Sequence, residues 1–421
     1  MEKLPKTLKK LIPHRLFTAL QPTYYHLLTG VSAVRFGYPS KKLRVVGITG
    51  TNGKTTTATL LYKVATELGY TAGLISTVEN IIAGESTPTT HTTPDPISLN
   101  KLFRDMVDAG CEYVFMEVSS HALDQKRVRG VSFIGGVFTN LTHDHLDYHK
   151  SFENYYEAKK KFFCMLGVGA FALSNTDNAY GERMLQGIGA KKVSYGFNGN
   201  EHFHGEIKKV SIDGLELAFN GVEVSSTLLG TFNAYNLLAV WSTSSLLGFD
   251  MEKVKVILKD IEPPAGRFQH FTSPQGALVI VDYAHTPDAL ENVLQTIRTS
   301  FAGSKIIAIF GCGGDRDPMK RTIMGRIGAR LSDRAIFTSD NPRSEDPEKI
   351  LEQMKSSLSD GDLEKVQTIP NRRDAIVEGI ALAKKGDVIL CAGKGHEDYQ
   401  DIKGIKYHFD DMEEFKKAFR A

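Results

Sequence analysis

Gly47-Ile48-Thr49-Gly50-Thr51-Asn52-Gly53-Lys54-Thr55-Thr56-Thr57 follows an apolar run with strand character and precedes a run with helical character. Strand, tight turn and helix in that order read as a phosphate-binding loop. Gly50, Thr51, Asn52 and Gly53 are small enough for the backbone to wrap an anion with its N–H groups, and the following helix adds its positive end. Lys54 would reach the β- and γ-phosphates and the Thr55 hydroxyl would meet magnesium, with Thr56 beside it. The strict form G-x-x-x-x-G-K-[ST] asks for glycine where Ile48 stands; the glycines fall at 47 and 50 instead. The competing reading is a Gly/Thr-rich turn with no ligand.

Outward from the loop, strands and helices alternate. Residues 43–49 read as a strand, 54–68 as a helix closed by Gly69, and 71–76 as a strand. Ser98 is expected to cap a helix ended by Gly110, followed by strands over 113–119 and 133–141. This pattern predicts a mostly parallel sheet covered on both faces. Asp213-Gly214 and Asn220-Gly221, between alternating runs over 203–229, predict a small antiparallel annex. Helices are expected from Asn233 and Met251, and the break falls at Glu262-Pro263-Pro264-Ala265-Gly266. Strands over 277–283, 305–311, 334–340 and 387–393 then predict a Rossmann-like α/β domain. The expected organisation is an arm over 1–42, a central P-loop domain over 43–262 and a C-terminal domain over 263–421. Gly311-Cys312-Gly313-Gly314 is not a dinucleotide fingerprint, because its sixth position is Arg316.

A chain of 421 residues is long enough for two or three domains, each with its own core. A net charge of +2 gives no field that calls for nucleic acid. Cys111, Cys164, Cys312 and Cys391 are scattered without a C-x-x-C pair, which excludes a zinc ribbon or disulfide framework and suits a reducing cytoplasm. No apolar run has the length of a membrane span, and no signal-peptide core opens the chain. Within 1–42, Lys3, Lys6, Lys9, Lys10, Arg15, Arg35, Lys41 and Lys42 face one acid, Glu2, with Leu11, Leu16, Leu20, Tyr24, Leu27 and Leu28 among them. Pro13 and Pro22 interrupt any long helix there. A short helical arm packed on the next domain is the expectation; a basic element touching a membrane surface is the alternative.

Three further stretches carry chemistry. Glu117 closes a strand in Met116-Glu117-Val118-Ser119-Ser120-His121, at the sheet edge where open α/β folds bind ligands, and a carboxylate there can hold Mg²⁺ beside phosphates. Its bland reading is an exposed strand-end acid. Thr139-Asn140-Leu141-Thr142-His143-Asp144-His145-Leu146-Asp147-Tyr148-His149 gathers three histidines and two aspartates after another strand. That density suits metal and phosphate work, yet the spacing is not that of a helical zinc pair, so both readings stay open. Lys159, in Tyr155-Tyr156-Glu157-Ala158-Lys159-Lys160-Lys161-Phe162-Phe163, reads by spacing as a solvated lysine on the basic face of an amphipathic helix.

The ordered series TGTNGKTTT, MEVSSHAL, TNLTHDHLDYH, YYEAKKKFF, GTFNAYN, AGRF, VDYAHTPDAL, GCGGDRD, SDNPRSEDP and AGKGHEDYQ, from 49 to 400, resembles the Mur ligases and their folylpolyglutamate synthetase relatives. The resemblance implies an ATP-dependent acid–amino-acid ligase of peptidoglycan synthesis. By it, Lys54 and Thr55 hold ATP and magnesium, Glu117 one magnesium and His145 a second, and Lys159 matches a lysine carried as a carbamate. Asn140 and Asn236 join the nucleotide site, Asn236 at adenine, with Arg267, Asp282 and His285 from the C-terminal domain. Thr92, Thr93, Ser119, Gln125 and Arg127 match the muramoyl-dipeptide acceptor site. Arg316, Asp340, Asn341, Arg343, Gly393 and Glu397 match the pocket of the incoming amino acid. Asp340-Asn341-Pro342-Arg343 resembles the form found in members that add meso-diaminopimelate as third residue of the stem. An arginine fork can grip that amino acid's distal carboxylate, whereas the distal amine of lysine would be repelled.

The implied chemistry is attack of a carboxylate on the γ-phosphate, giving an acyl phosphate that the amine displaces, inside a site that domain closure keeps dry. Residues 1–42 are too few for the family's separate N-terminal domain for the uridine diphosphate. A UDP-linked acceptor is therefore expected, with a lipid-linked one met through the basic arm as the alternative. A ligase for a folate or polyglutamate, or a nucleotide-binding protein without chemistry, completes the alternatives. A cytoplasmic monomer working on small molecules, without nucleic acid, is the expected setting.

Overall fold

The computed structural model describes Tyr25 and residues 28–89, 91–142 and 144–420. The expectations for the basic arm fall mainly on residues 1–24, and His143 on its own; both lie outside the described residues. Two compact units meet in sequence at Glu262 and Pro263, the second also counting the short pieces Val210–Leu215 and Leu228–Thr231.

The first unit is built on β1 (Arg44–Thr49), whose Val45, Val46 and Ile48 have no solvent exposure. The other strands of its sheet are β2 (Ala72–Ile75), β3 (Glu79–Ile82), β4 (Glu85–Pro88), β5 (Tyr113–Glu117), β6 (Phe133–Phe138), β7 (Phe171–Asn175), β8 (Lys191–Gly196), β9 (Phe203–Ser211), β10 (Gly214–Phe219) and β11 (Val222–Ser226). Their order across the sheet is β11-β10-β9-β8-β7-β6-β1-β5-β2-β3-β4. β1 pairs in parallel with β5 and β6, and the parallel run extends through β7 and β8 to β9. The run at 203–226 forms the expected annex as an extension of the main sheet: β9 joins it beside β8, and the Asp213-Gly214 and Asn220-Gly221 turns fold the chain back from it.

Helix α1 (Lys54–Glu67) starts straight from the loop, with Gly53 at its N-cap at φ 81° and Gly69 at φ 93° just beyond its end. Both are backbone states that glycine adopts without strain. Helix α2 (Pro96–Asp108) corrects the expected cap. Asp95, not Ser98, caps it, accepting from the Ile97 and Ser98 amides, with Pro96 in the first turn where its missing N–H costs nothing. Helices α3 (Phe152–Cys164) and α4 (Thr231–Leu247) follow, α4 two residues earlier than Asn233 suggested. Phe162 of α3 reaches β1 so closely that a Cβ at Gly47 would stand 2.5 Å from its ring. Gly47 thus serves helix-on-sheet packing, while the loop draws on Gly50 and Gly53.

The second unit holds β12 (Gln269–Thr272), β13 (Leu278–Asp282), β14 (Ile306–Phe310), β15 (Arg334–Phe337), β16 (Val366–Thr368) and β17 (Val388–Ala392), in the order β12-β13-β17-β14-β15-β16. All neighbours are parallel except β12 with β13. A hairpin of β18 (Tyr399–Ile402) and β19 (Ile405–His408) follows. β14 and β17 are apolar throughout, and β13 and β15 are apolar except for the terminal Asp282 and Arg334, as strands covered on both faces must be. Helix α5 (Arg372–Leu382) opens with the fully buried Arg372. Its Nε and Nη2 donate to Asp411 at 2.7 and 2.8 Å, and Nη2 also donates to the Ala392 carbonyl at 3.0 Å. This pair ties the end of β17 to the last helix, and removing one partner would strand the other's charge in the core. Among the described residues no helix is long and apolar enough to cross a membrane.

Candidate active site

Gly50-Thr51-Asn52-Gly53 leaves the carboxyl end of β1 and is clamped from the end of β6. The Thr51 amide donates to the Asn140 carbonyl at 2.8 Å and the Asn52 amide to Asn140 Oδ1 at 2.9 Å, while Asn140 Nδ2 donates back to the Asn52 carbonyl at 3.2 Å. Thr139 Oγ1 donates to that same carbonyl at 2.6 Å, and a Cβ at Gly50 would stand 1.9 Å from it. On the other side Asn236 of α4 lies against the loop: a Cβ at Gly53 would meet its Oδ1 at 2.4 Å, and Thr57 Oγ1 donates to it at 3.5 Å. Lys54 folds back over the loop, Nζ donating to the carbonyls of Gly50 at 3.0 Å and Thr51 at 2.7 Å. Thr55 and Thr56 are buried in the first turn of α1. A loop held this tightly keeps its amide N–H groups oriented, the arrangement an anion needs.

Glu117 ends β5 directly beside β1, in register with Ile48, so it shares an edge with the loop. It is fully buried; Oε1 accepts from the Thr77 amide at 2.7 Å and Oε2 from Thr77 Oγ1 at 3.2 Å. Thr77 Oγ1 can in turn accept from Thr92 Oγ1, 3.0 Å away. Thr93 Oγ1 donates to the Glu117 carbonyl at 2.9 Å and accepts from the Ser119 amide at 3.1 Å. Arg127 donates to the Thr93 carbonyl at 3.1 Å and to Gln125 Oε1 at 2.8 Å. Thr92, Thr93, Ser119, Gln125 and Arg127 thus form one polar layer adjoining Glu117. Ser119 also caps the short helix after β5, accepting from the Ala122 amide.

Lys159 overturns its reading as a solvated lysine. Lys161 is exposed and Lys160 is half-buried, with Nζ donating to the Arg183 and Met184 carbonyls, but Lys159 is 1% exposed and its Nζ donates to the Gly50 carbonyl at 2.6 Å. Two lysine amines therefore converge on one loop carbonyl. Burial drives the Lys159 pKa well below the ordinary lysine value and the nearby Lys54 adds to that, against an opposing pull from Asp144. The Tyr155 ring stands 4.6 Å from Lys159 Nζ, and its hydroxyl is 3.1 Å from Thr51 Oγ1. His145 sits on the surface at φ 54°, its Nε2 3.3 Å from Asp144 Oδ2 and its ring 4.8 Å from that of His121. His149 is buried, with Nε2 3.0 Å from Ser120 Oγ, and burial lowers its pKa. Among the described residues no three His, Cys, Asp or Glu side chains gather as metal ligands. A lone carboxylate next to a phosphate loop instead matches Mg²⁺, which takes one or two carboxylates and completes its shell with phosphates and water.

The second unit carries its candidates on loops at the carboxyl ends of its strands. Asp282 accepts from the Phe268 amide at 2.8 Å and the Ala284 amide at 2.9 Å; burial raises its pKa against the pull of Arg267. The Arg267 guanidinium lies 4.8 Å from the Tyr283 ring centre, and its buried Nε has no hydrogen-bond partner among the described residues. The His285 ring lies 4.5 Å from the same ring; its Nδ1 donates to the Tyr283 carbonyl at 2.8 Å, and burial lowers its pKa.

A second group gathers beyond β15 and β17. Asn341 Nδ2 donates to Glu397 Oε2 at 2.8 Å, and a Cβ at Gly393 would stand 2.6 Å from Asp340 Oδ2. Arg343, at φ 51°, donates from Nη1 to the Gly314 carbonyl at 2.7 Å. Arg316 is exposed and donates to the carbonyl of its own neighbour Asp315, making no direct bond to this cluster.

Residues 48–243 match the family described as Mur ligase middle domain, and residues 266–395 the family described as Mur ligase, glutamate ligase domain. The chain belongs to the Mur ligase family. A relative from Parabacteroides distasonis named UDP-N-acetylmuramoyl-L-alanyl-D-glutamate–2,6-diaminopimelate ligase is 53% identical over 385 residues, 91% of this chain and 79% of that one. A solved structure of a ligase of the same name aligns at TM-score 0.66 and 35% identity, covering 90% of this chain and 78% of the other. A Mycobacterium tuberculosis folylpolyglutamate synthase, at TM-score 0.68 and 18% identity over 87% of this chain and 91% of its own, shares the fold.

Several side chains stand at the sites of this Mur ligase without having been singled out in the sequence. Tyr155 and Lys394 lie inside quoted motifs, which was the available signal. Thr77 and Arg321 had none. Arg321 is 1% exposed and donates twice to Glu345, at 2.8 Å each, and to the Gly313 carbonyl at 3.3 Å, linking the loops that carry Arg316 and Arg343. That guanidinium, with a donated Asp315 amide, pulls the Glu345 pKa down to about 2.

Proposed function

We propose that this Mur ligase uses ATP to join meso-diaminopimelate to UDP-N-acetylmuramoyl-L-alanyl-D-glutamate, as a cytoplasmic monomer acting on small molecules without nucleic acid. The observation that carries this reading is the cluster of Asp340, Asn341, Arg343, Gly393 and Glu397 beyond β15 and β17 of the second unit, with a guanidinium fixed at Gly314. The name of the 53% identical relative supports it.

In the first unit, Gly50 to Gly53 and Lys54 hold the triphosphate, and Asn140 and Asn236 keep the loop in place, Asn236 also serving the adenine. Thr55 and Glu117 would hold one magnesium ion and His145 a second, which would supply positive charge at the phosphates. Thr92, Thr93, Ser119, Gln125 and Arg127 orient the acceptor so that its carboxylate oxygen lies in line with the γ-phosphorus. Attack there breaks the bond to ADP and forms an acyl phosphate, converting a poor electrophile into one an amine can displace. Burial lowers the Lys159 pKa and so favours the free amine, which can take up carbon dioxide with loss of a proton. The resulting carbamate would attract Lys54, where a Lys159 ammonium would repel it. In the second unit Arg267, Asp282 and His285 complete the nucleotide contacts. Arg316 and Arg343 take the carboxylates of the amino acid, and Glu397 takes an ammonium.

Phosphate release measured with the UDP-linked dipeptide and a panel of amines tests the reading. Diaminopimelate is expected to exceed lysine by at least about tenfold in kcat/KM, since a charge-assisted bond is worth about 1.5–3 kcal/mol. Arg343→Lys should erase most of that margin, because an ammonium cannot form the two-pronged contact. Equal use of lysine by the unaltered protein would overturn the proposed substrate.

A further inference from the structure

Lys394 is a lysine with no solvent exposure, set between Gly393 and Gly395 immediately after β17. All three protons of its ammonium have acceptors. Nζ lies 3.3 Å from Asn341 Oδ1 and 3.4 Å from Glu397 Oε2, and it donates to the Tyr399 carbonyl, with the Tyr399 ring centre 5.4 Å away. A fully committed ammonium has nothing left for a ligand, so this lysine acts on the pocket through what it holds.

It holds the two residues that face the amino acid. Asn341 Oδ1 accepts from both Lys394 Nζ and the Asp401 amide, the latter at 2.9 Å. Two donors on one side of the amide leave Asn341 a single sensible orientation, with Nδ2 toward Glu397, and the 2.8 Å bond to Oε2 follows. Glu397 Oε2 is thereby taken twice, by Lys394 and Asn341. Among the described residues its Oε1 makes no hydrogen bond, so it is the oxygen left for an incoming ammonium. Without the lysine the Asn341 amide can turn over, setting its oxygen against the Glu397 carboxylate, and the carboxylate loses a charged partner that fixes its rotamer.

We propose that Lys394 is a positioning residue that sets the Asn341 amide and the Glu397 carboxylate for the ammonium group of the incoming amino acid. This rests on the reading of the pocket as the amino-acid site. The lysine should act on the affinity for that one substrate and leave ATP and the acceptor untouched.

The test is steady-state kinetics of Lys394→Met, Lys394→Gln, Glu397→Gln and the double variant Lys394→Met/Glu397→Gln, varying each substrate in turn with the full-length protein. Lys394→Met is expected to raise the KM for diaminopimelate by about ten- to a hundredfold, with the KM values for ATP and acceptor within about twofold of the unaltered protein. Lys394→Gln, which keeps an N–H donor near the Tyr399 carbonyl, should show the same selective rise. Because the lysine works in part through Glu397, Lys394→Met should raise the KM for diaminopimelate by a clearly smaller factor in the Glu397→Gln background than in the unaltered protein. Effects that multiply in the double variant, or a rise in all three KM values together, would overturn the proposal and leave the lysine a structural tie. So would failure of both single lysine variants to melt cooperatively above 25 °C. If the unaltered protein ignores diaminopimelate, the substrate reading fails first, and that result is distinct from a missing KM split.

Discussion

Lys54→Ala is expected to lower kcat by about a thousandfold or more, close to 4 kcal/mol of transition-state stabilisation, with thermal stability hardly changed. The γ-phosphoryl group carries its charge while a second anion, the acceptor carboxylate, approaches it in line. Lys54 closes the loop itself, and its Nζ rests on the Gly50 and Thr51 carbonyls, 3.0 and 2.7 Å away. Those carbonyls hold the amine above the turn in the orientation from which it can swing to phosphate. Because Lys54 packs in no core, its loss should spare the fold, and coincident melting curves for the two proteins would separate a chemical defect from a structural one. An undiminished rate of ATP consumption in Lys54→Ala would remove the phosphate-loop assignment.

Lys159→Met should cost about a hundred- to a thousandfold in kcat. Methionine nearly matches the length of the buried stem, so the change deletes the amine that donates to Gly50 at 2.6 Å rather than opening a large cavity. The amine's depressed pKa has a consequence that the variant lacks. An ordinary lysine is protonated at neutral pH and cannot add carbon dioxide, whereas burial and Lys54 leave much more of Lys159 as free base. Stripping carbon dioxide from the buffers should therefore inactivate the unaltered protein, and bicarbonate should restore it, more completely as pH rises and the free-base fraction grows. Lys159→Met should respond to neither treatment. Full activity of the unaltered protein without carbon dioxide would contradict the carbamate.

The fold was legible where local chemistry and tertiary need agree. β1, its loop and α1 are set by an apolar run, small residues at tight backbone positions and a helix that starts without interruption. The four central strands of the second sheet, β13, β14, β15 and β17, read clearly because burial on both faces makes them almost continuously apolar. Short strands escaped notice, among them β3, β4, β12 and β16, since three or four residues are too few to display a period. Ser98 misled because it has the composition of a cap, while Asp95, one residue ahead of Pro96, holds the position from which a side chain can reach the first amides.

Lys159 misled for a different reason. Three consecutive lysines suggest a solvated face, but at about 100° per residue one of the three can point inward, and which one depends on the sheet beneath α3. Lys394 had no local signal as a charge to be buried. Its acceptors are supplied by Asn341, Glu397 and Tyr399, and Asn341 comes from a different strand end.

The central claim is that a carboxylate oxygen of the acceptor becomes bonded to the terminal phosphorus of ATP. It can be followed atom by atom with acceptor labelled with ¹⁸O in the reacting carboxylate, reading the mass of the phosphate released during turnover with diaminopimelate. One labelled oxygen should leave in each phosphate, because the acyl phosphate breaks between carbon and the oxygen that came from the acceptor. Phosphate without label, formed at the same rate as product, would mean that no acyl phosphate lies on the path.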